Sequence, residues 1–298
     1  MIYLLPIVTV FLWGGNTIVN KLASTAIEPS AMSFYRWFVA MLIFTPFCLP
    51  RVIRRWASIR PYLGKIALLS LLGMVLNQSL GYYAGLTTTA SNMALITSLV
   101  PLMSVLLSVP LLGKRLSLLS VGGALLSLLG LAYMLGAGDV LFFTRRAVSP
   151  GDAMMLLSAL SYAAYCVLLK RWTVPFDNAS FIYMQGMLAV LMLTPLWLSS
   201  EQLLPSQQAL PLIAYAAIAA SIVAPLLWVK SIARLGADSS AMFMNLLPVI
   251  TVTLAVLLLD ETLHDYHLLG GALVLAGVSL AQIKVRRPAN SRVSQLSS

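Results

Sequence analysis

Apolar runs of about 20 residues recur along this chain, and no other feature constrains its fold as strongly. Each is long enough to cross roughly 30 Å of hydrocarbon as a helix. Ten can be read: near Leu4–Leu22, Ala31–Leu49, Ile66–Leu86, Ala90–Leu112 and Ser117–Gly138, then near Gly151–Lys170, Ser180–Leu198, Leu210–Ala233, Ala237–Leu259 and Tyr266–Ile283. Backbone N–H and C=O groups in lipid must be satisfied within their own segment, so such runs become helices. Together they use roughly 210 of the 298 residues, and no soluble domain is expected between them. Only 9% of residues are charged and 60% are hydrophobic; a soluble domain carries about 25% charged residues to cover its surface. The first run follows no basic segment, exceeds a signal-peptide core and contains Gly14-Gly15-Asn16, so it is expected to be a retained helix.

The formal net charge of +10 would suggest nucleic acid in a soluble protein. Here the basic residues cluster between apolar runs, the pattern that sets membrane orientation. With a cytoplasmic N-terminus, the inner connections hold Arg51, Arg54, Arg55, Arg60, Lys65, Lys114, Arg115, Lys170, Arg171, Lys230 and Arg234, and the tail adds Lys284, Arg286, Arg287 and Arg292. The outer connections hold only Lys21, Arg145 and Arg146. Both termini are therefore expected in the cytoplasm, with the lipid bilayer rather than nucleic acid as partner. Short loops suit a bacterial inner membrane. Cys48 and Cys166 fall in apolar runs without disulfide or metal spacing and read as buried hydrophobes.

The two halves repeat. Pro101 and Pro248 lie 147 residues apart, as do Gly123 and Gly270, and Gly130 and Gly277. Earlier in each half the offset is 149, pairing Lys21 with Lys170, Glu28 with Asp177 and Thr45-Pro46 with Thr194-Pro195. Five spans per half is an odd number, so the second half must enter the membrane inverted, as in many secondary transporters. The expected fold is an all-α integral membrane protein of ten transmembrane helices in two inverted five-helix repeats. The repeats are residues 1–138 and 150–285, with an outer connection at 139–149 and a basic, disordered cytoplasmic tail at 286–298.

Several residues could carry a substrate. Pro101 and Pro248 sit near mid-span, where proline frees carbonyls and kinks helices, so they read as helix breaks or gates beside a midplane site. Thr97 and Ser98 lie one turn before Pro101, and Asn245 one turn before Pro248. Trp13 sits mid-span and needs an N–H partner or a wet cavity. At the offset of 149 it pairs with Tyr162, and Asn16 with Tyr165, giving mirrored polar-aromatic candidates. Asn77, Gln78, Tyr82 and Trp228 are further lining candidates. Bending for packing is the structural alternative for the prolines, and helix–helix contact for the aromatic set.

Arg36 lies about five residues into the second span from the outer face, inside it rather than at its end. A charge there costs roughly 3 kcal/mol unless it snorkels or is paired. It could hold a substrate carboxylate, cap helix carbonyls, or reach the outer interface; its counterpart is the neutral Gln185. Every Asp and Glu falls at a span end or in a connection, so no mid-membrane proton relay is expected, which favours facilitated transport or exchange. His264 and His267 could ligate a metal, but nothing else has ligand spacing, and a solvated turn is expected. The glycines at 123, 130, 270 and 277 share helix faces and suit close helix contact.

Over nearly its whole length the chain resembles the EamA-type branch of the drug/metabolite transporter superfamily. The likeness rests on Leu12-Trp13-Gly14-Gly15-Asn16, on Arg36, on Ala90 to Pro101, and on Leu111 to Leu116 followed by Gly123-Ala124. In the second half it rests on Gly151-Asp152, Leu235-Gly236-Ala237, Asn245 to Pro248, Asp260-Glu261-Thr262-Leu263 and Gly270-Gly271-Ala272. Lys114 stands where the family often has Glu, so no role of that Glu carries over to the first half. The resemblance implies ten helices, alternating access, and export of amino acids or other small metabolites or drugs. It implies no cofactor and no enzymatic activity.

A primary pump needs a Walker A sequence, and none is present. A nucleotide-sugar or phosphorylated-metabolite exchanger would want cavity-lining basic residues, with Lys230 the nearest candidate. An enzyme on lipid-like substrates should show paired carboxylates or a metal cluster, and only Asp260-Glu261 with His264 approaches this. The expected partners are a small-molecule substrate and the bilayer, with the protein plausible as a monomer.

Overall fold

The computed structural model describes residues 3–113, 117–139, 149–172, 177–236, 240 and 243–282, and every regular element among them is helical. In chain order these are α1 (Leu4–Ala26), α2 (Pro29–Arg54), α3 (Trp56–Ala84), α4 (Ala90–Leu112), α5 (Leu118–Leu135), α6 (Pro150–Arg171), α7 (Asn178–Leu198), α8 (Ala209–Leu235), α9 (Leu246–Leu259) and α10 (Asp265–Gln282). Helices α2 to α8 are the seven that are long and apolar enough to cross a membrane. α9 is a shorter apolar helix; its 14 residues rise about 21 Å, less than the hydrocarbon thickness. α1 is 23 residues long, but Asn16, Asn20 and Lys21 dilute its apolar character. The connection 140–148, Lys114, Arg115, Asp238 and the basic tail lie outside the described residues.

The surface reverses that of a soluble protein. Leu118, Leu125, Leu129, Leu191 and Leu257 are exposed, whereas Ser33, Ser70, Ser127, Ser180, Gln185 and Thr251 are fully buried. Water would not tolerate so much exposed leucine, but lipid does. This is a multi-pass membrane protein.

α1 lies inside the bundle, against α8 and α9, with α3 and α4 also touching it. α6 lies likewise against α3 and α4. α2 packs along α7, and α5 along α10. The last pair is set by glycine: Gly123 lies over Gly277 and Gly130 over Gly270, so closely that a Cβ at any of them would strike the opposite helix. Such proximity lets the Ser127 hydroxyl donate to Val274 O at 3.1 Å and the Ser120 hydroxyl to Ala281 O at 3.1 Å. The close-contact role expected of these glycines is the one observed.

Four helices are irregular. α4 breaks at Ser98-Leu99, leaving Pro101 in the first turn of its second segment. α9 starts after a turn at Met244-Asn245, with Pro248 in its first turn. Prolines suit the start of a helix because first-turn N–H groups have no intrahelical partner. α3 and α8 contain π-helical stretches, Leu71–Leu76 and Tyr215–Val223. Wider turns loosen the backbone ladder, and other helices supply donors to it. Trp37 Nε1 donates to Met74 O at 3.2 Å and Ser161 to Leu72 O at 2.8 Å; Trp13 Nε1 donates to Ala220 O at 3.2 Å. Side-chain donors of this kind make irregular backbone tolerable at membrane depth.

Candidate functional site

The two π segments flank a polar network centred on Arg36, which is only 3% exposed. Its Nε donates to the Ser221 hydroxyl of α8 at 2.8 Å. Its Nη1 lies 3.3 Å from Asn16 Oδ1 of α1, and 2.7 Å from Gln78 Oε1 and 3.1 Å from the Tyr82 hydroxyl, both of α3. From there the network runs outward. Asn16 Nδ2 donates to Asn20 Oδ1 at 3.3 Å, and Gln78 Nε2 to Asn77 Oδ1 at 2.9 Å. Asn77 Nδ2 donates to the Ser158 hydroxyl of α6 at 3.0 Å, which donates to Asn77 O at 2.8 Å. Five helices therefore meet in one hydrogen-bonded set. Arg36 does not snorkel to an interface, and its partners are side chains rather than helix carbonyls. They are neutral throughout, and Arg36 forms no ion pair among the described residues.

Aromatic groups border this set. Trp13 and Trp228 approach to 5.6 Å between ring centroids, and the N–H partner that Trp13 needed is Ala220 O. Tyr162 and Tyr165 stack at 5.5 Å, and the Tyr165 ring lies against Gly73 in the π segment of α3. Reciprocally, the Tyr215 hydroxyl of α8 lies against Gly15 of α1 and donates to Leu12 O at 3.1 Å. Only a residue without Cβ lets either ring sit so near the neighbouring helix.

Not every sequence candidate joins this set. Thr97 donates to Met93 O at 2.7 Å and Ser98 to Leu95 O at 2.6 Å, so both hydroxyls are spent within their own helix. Asn245 is exposed and forms no side-chain cap. Pro101 and Pro248 sit just after the breaks in their helices, and Lys230 is exposed towards the end of α8. Ser221 and Ser158 belong to the network and Ser161 supplies a donor to the π segment of α3, yet the sequence gives no sign of it. A serine in an apolar helix is common, and its partner is more than eighty residues away.

The bundle has a basic end and an opposite end. At the basic end Arg51, Arg54, Arg55 and Asp177 line an open cavity of about 370 Å³, and Arg55 meets Asp177 at 3.4 Å. Desolvation raises the Asp177 carboxyl, but hydrogen bonds from the Ser180 N–H and hydroxyl outweigh it, helped by Arg55, and hold its pKa below the ordinary value. The opposite end is laced by hydrogen bonds beside a second open cavity, of about 460 Å³, lined by Asn92, Glu261, His264 and His267 among others. Lys21 Nζ donates to Gly85 O and Thr88 O, each at 2.8 Å. Glu261 accepts from Ala90 N at 2.7 Å, Ser91 N at 3.0 Å and the Ser91 hydroxyl at 2.7 Å, a carboxylate on the N-terminus of α4. Asp152, 6% exposed, accepts from Thr88 and from Ser149 Oγ at 2.8 Å. His264 is exposed, but His267 is buried at 9%, its Nδ1 accepting from His264 N at 3.2 Å. That corrects the expectation of a wholly solvated turn: the first turn of α10 folds the ring inward.

The model of the EamA-like transporter family matches residues 1–136 and 149–282. The chain belongs to this family. Over 288 residues it is 23% identical to an uncharacterized transporter of Archaeoglobus fulgidus, covering 95% of this chain and 97% of the relative. It is 25% identical over 284 residues to the uncharacterized transporter YetK of Bacillus subtilis, covering 92% and 84%. Similarity also extends to a probable terminal-alkyne amino-acid exporter of Streptantibioticus cattleyicolor, 27% identical over 215 residues, with 72% of this chain and 71% of that one aligned. A solved crystal structure superimposes with a TM-score of 0.60 over 94% of this chain and 95% of that one, at 20% identity, a likeness of fold. As a member of the EamA-like family the protein is a membrane transporter for a small-molecule substrate, and not an enzyme.

Proposed function

We propose that this transporter is a secondary carrier of ten spans, built as two inverted five-helix repeats, 1–138 and 150–285. It exports amino acids or related small metabolites or drugs from a bacterial cell by alternating access. The observation that carries this reading is the reciprocity of the helix contacts. Exchanging each helix for the one five places on turns α1 against α8 and α9 into α6 against α3 and α4. The same exchange leaves α2 with α7, and α5 with α10, unchanged. It also carries the π segment of α3 onto that of α8, and the break before Pro101 onto the turn before Pro248. A bundle with two equivalent ways of packing can close at either end, which alternating access requires.

The basic end is then cytoplasmic, by the distribution of Lys and Arg. The end laced by Lys21, Asp152 and Glu261 then faces outward, and export requires those bonds to part. The Arg36 network lies where the two repeats meet and is the candidate substrate contact, bordered by Trp13, Trp228, Tyr162 and Tyr165. An amino-acid-like substrate is supported by the name of one relative. Among the described residues each Asp and Glu sits at a helix end or in a connection, which supports facilitated transport or exchange over proton coupling.

Counterflow in proteoliposomes tests the proposal. Vesicles preloaded with unlabelled amino acid should take up the labelled form transiently above its equilibrium level, with no ion gradient. Simple equilibration would indicate a channel, and uptake only under an imposed pH gradient would overturn the exchange reading.

A further inference from the structure

We infer that Arg36 is the carboxylate-recognition group of the transport site, and that the transported species therefore carries a carboxylate. The inference rests on the transport reading above. A guanidinium 3% exposed in a membrane bundle ordinarily finds an acid, because an unpaired charge there is costly. Arg36 finds none. Four acids are committed elsewhere: Glu28 to the N–H groups of Glu201 and Gln202, Asp152 and Glu261 to the laced end, and Asp177 to Ser180 and Arg55.

Donor geometry points the same way. All the acceptors around Arg36 engage Nε or Nη1, and the two hydrogens on Nη2 meet no acceptor among the described residues. Neutral acceptors hold the group in place without cancelling its charge, so its attraction for an anion is retained. The frame itself does not need a cation here, since the position 149 residues on is the neutral Gln185, also fully buried. One guanidinium with no second cation in the network matches the single charge of a carboxylate better than the double charge of a phosphate monoester. Recognition by a group shared among α1, α2, α3 and α8 would also join substrate binding to the helices that must move.

The experiment uses wild-type protein in proteoliposomes preloaded with the twenty protein amino acids. Their labelled forms are offered outside against three competitor sets: the corresponding amides, amines such as phenethylamine and isopentylamine, and glycerol 3-phosphate. Each competitor lacking the carboxylate should compete about tenfold more weakly than the parent acid, or worse, as loss of a charge-assisted contact implies. R36Q should raise the KM for the acids by a similar factor and bring acid and amide level, whereas R36K should keep part of the preference. Equal competition by acids and amides, a preference for glycerol 3-phosphate, or counterflow of preloaded choline without any of carboxylates would overturn the inference and leave a carrier. Silence of every probe would overturn the carrier reading with it. If R36Q does not survive size-exclusion chromatography, the wild-type comparison of acid with amide decides alone.

Discussion

Positions 36 and 185 occupy packed neighbours, α2 and α7, and both side chains are buried almost completely. Arg36 is held by Asn16, Gln78, Tyr82 and Ser221. At Gln185 neither side-chain amide atom completes a hydrogen bond among the described residues, and the Tyr165 hydroxyl is its polar neighbour. The helices are paired alike, yet the polar inventory is concentrated on one partner. The difference teaches that a doubled frame need not double its site: packing follows the backbone pattern, whereas the charge sits where one half has placed it.

The largest test of that contrast exchanges each polar group for leucine. R36L removes a buried charge, worth roughly 3 kcal/mol of relief, but it orphans the Asn16 and Gln78 carbonyl oxygens and the Tyr82 hydroxyl, at about 1–3 kcal/mol each, whereas the Ser221 hydroxyl keeps its bond to Ala216 O. The net expected loss is about 3 kcal/mol, read as a clearly lower melting temperature in detergent. Q185L removes two unsatisfied atoms and should lie within about 1 kcal/mol of wild type or above it. Equal losses would show that both positions bear the same structural load.

A smaller effect separates the π segments. W37F removes the donor to Met74 O from a Trp that is buried, and W13F the donor to Ala220 O from one that is half-buried. Each should cost about 1–2 kcal/mol, with W37F the larger because water cannot replace the lost bond. Melting curves in one detergent would rank them. The reverse order would mean that the α8 segment is the less hydrated of the two.

The smallest effect belongs to the basic end. Because the Asp177 carboxyl titrates below its unfolded value, its contribution is present above about pH 4 and lost as pH falls through the folded pKa. D177N retains a helix cap and should change stability little at neutral pH, while removing that acid-dependent step. Melting temperatures of both proteins between neutral pH and pH 3 would show it, and a persistent step in D177N would assign it to another carboxylate.

Much of the bundle was legible in advance. The run read as Ala90–Leu112 is the observed α4, and α7 differs from its expected run, Ser180–Leu198, only at its start. The prolines at 101 and 248 marked where α4 and α9 start afresh, and the glycines marked the α5–α10 crossing. The apolar run starts at Ile66, yet α3 begins at Trp56, because the residues before the run, Arg60 and Lys65 among them, already continue a helix. The site was legible by half. Arg36, Asn16, Asn77, Gln78 and Tyr82 stand out as polar groups in apolar runs, whereas Ser221 and Ser158 do not.

What the sequence determined by itself is therefore whatever depends on one segment and its solvent: which runs are helical, where proline starts a turn, and which end carries positive charge. Hydropathy and backbone sterics act locally, and a single stretch of chain records them. Only the tertiary structure decided that Arg36 meets Ser221, 185 residues away, and that no acid among the described residues meets Arg36. Nor does any residue pattern announce the π turns at Leu71–Leu76 and Tyr215–Val223. They persist because Trp37, Ser161 and Trp13 bring donors from other helices. A hydrogen bond between helices depends on the relative placement of both, and neither helix encodes that placement alone.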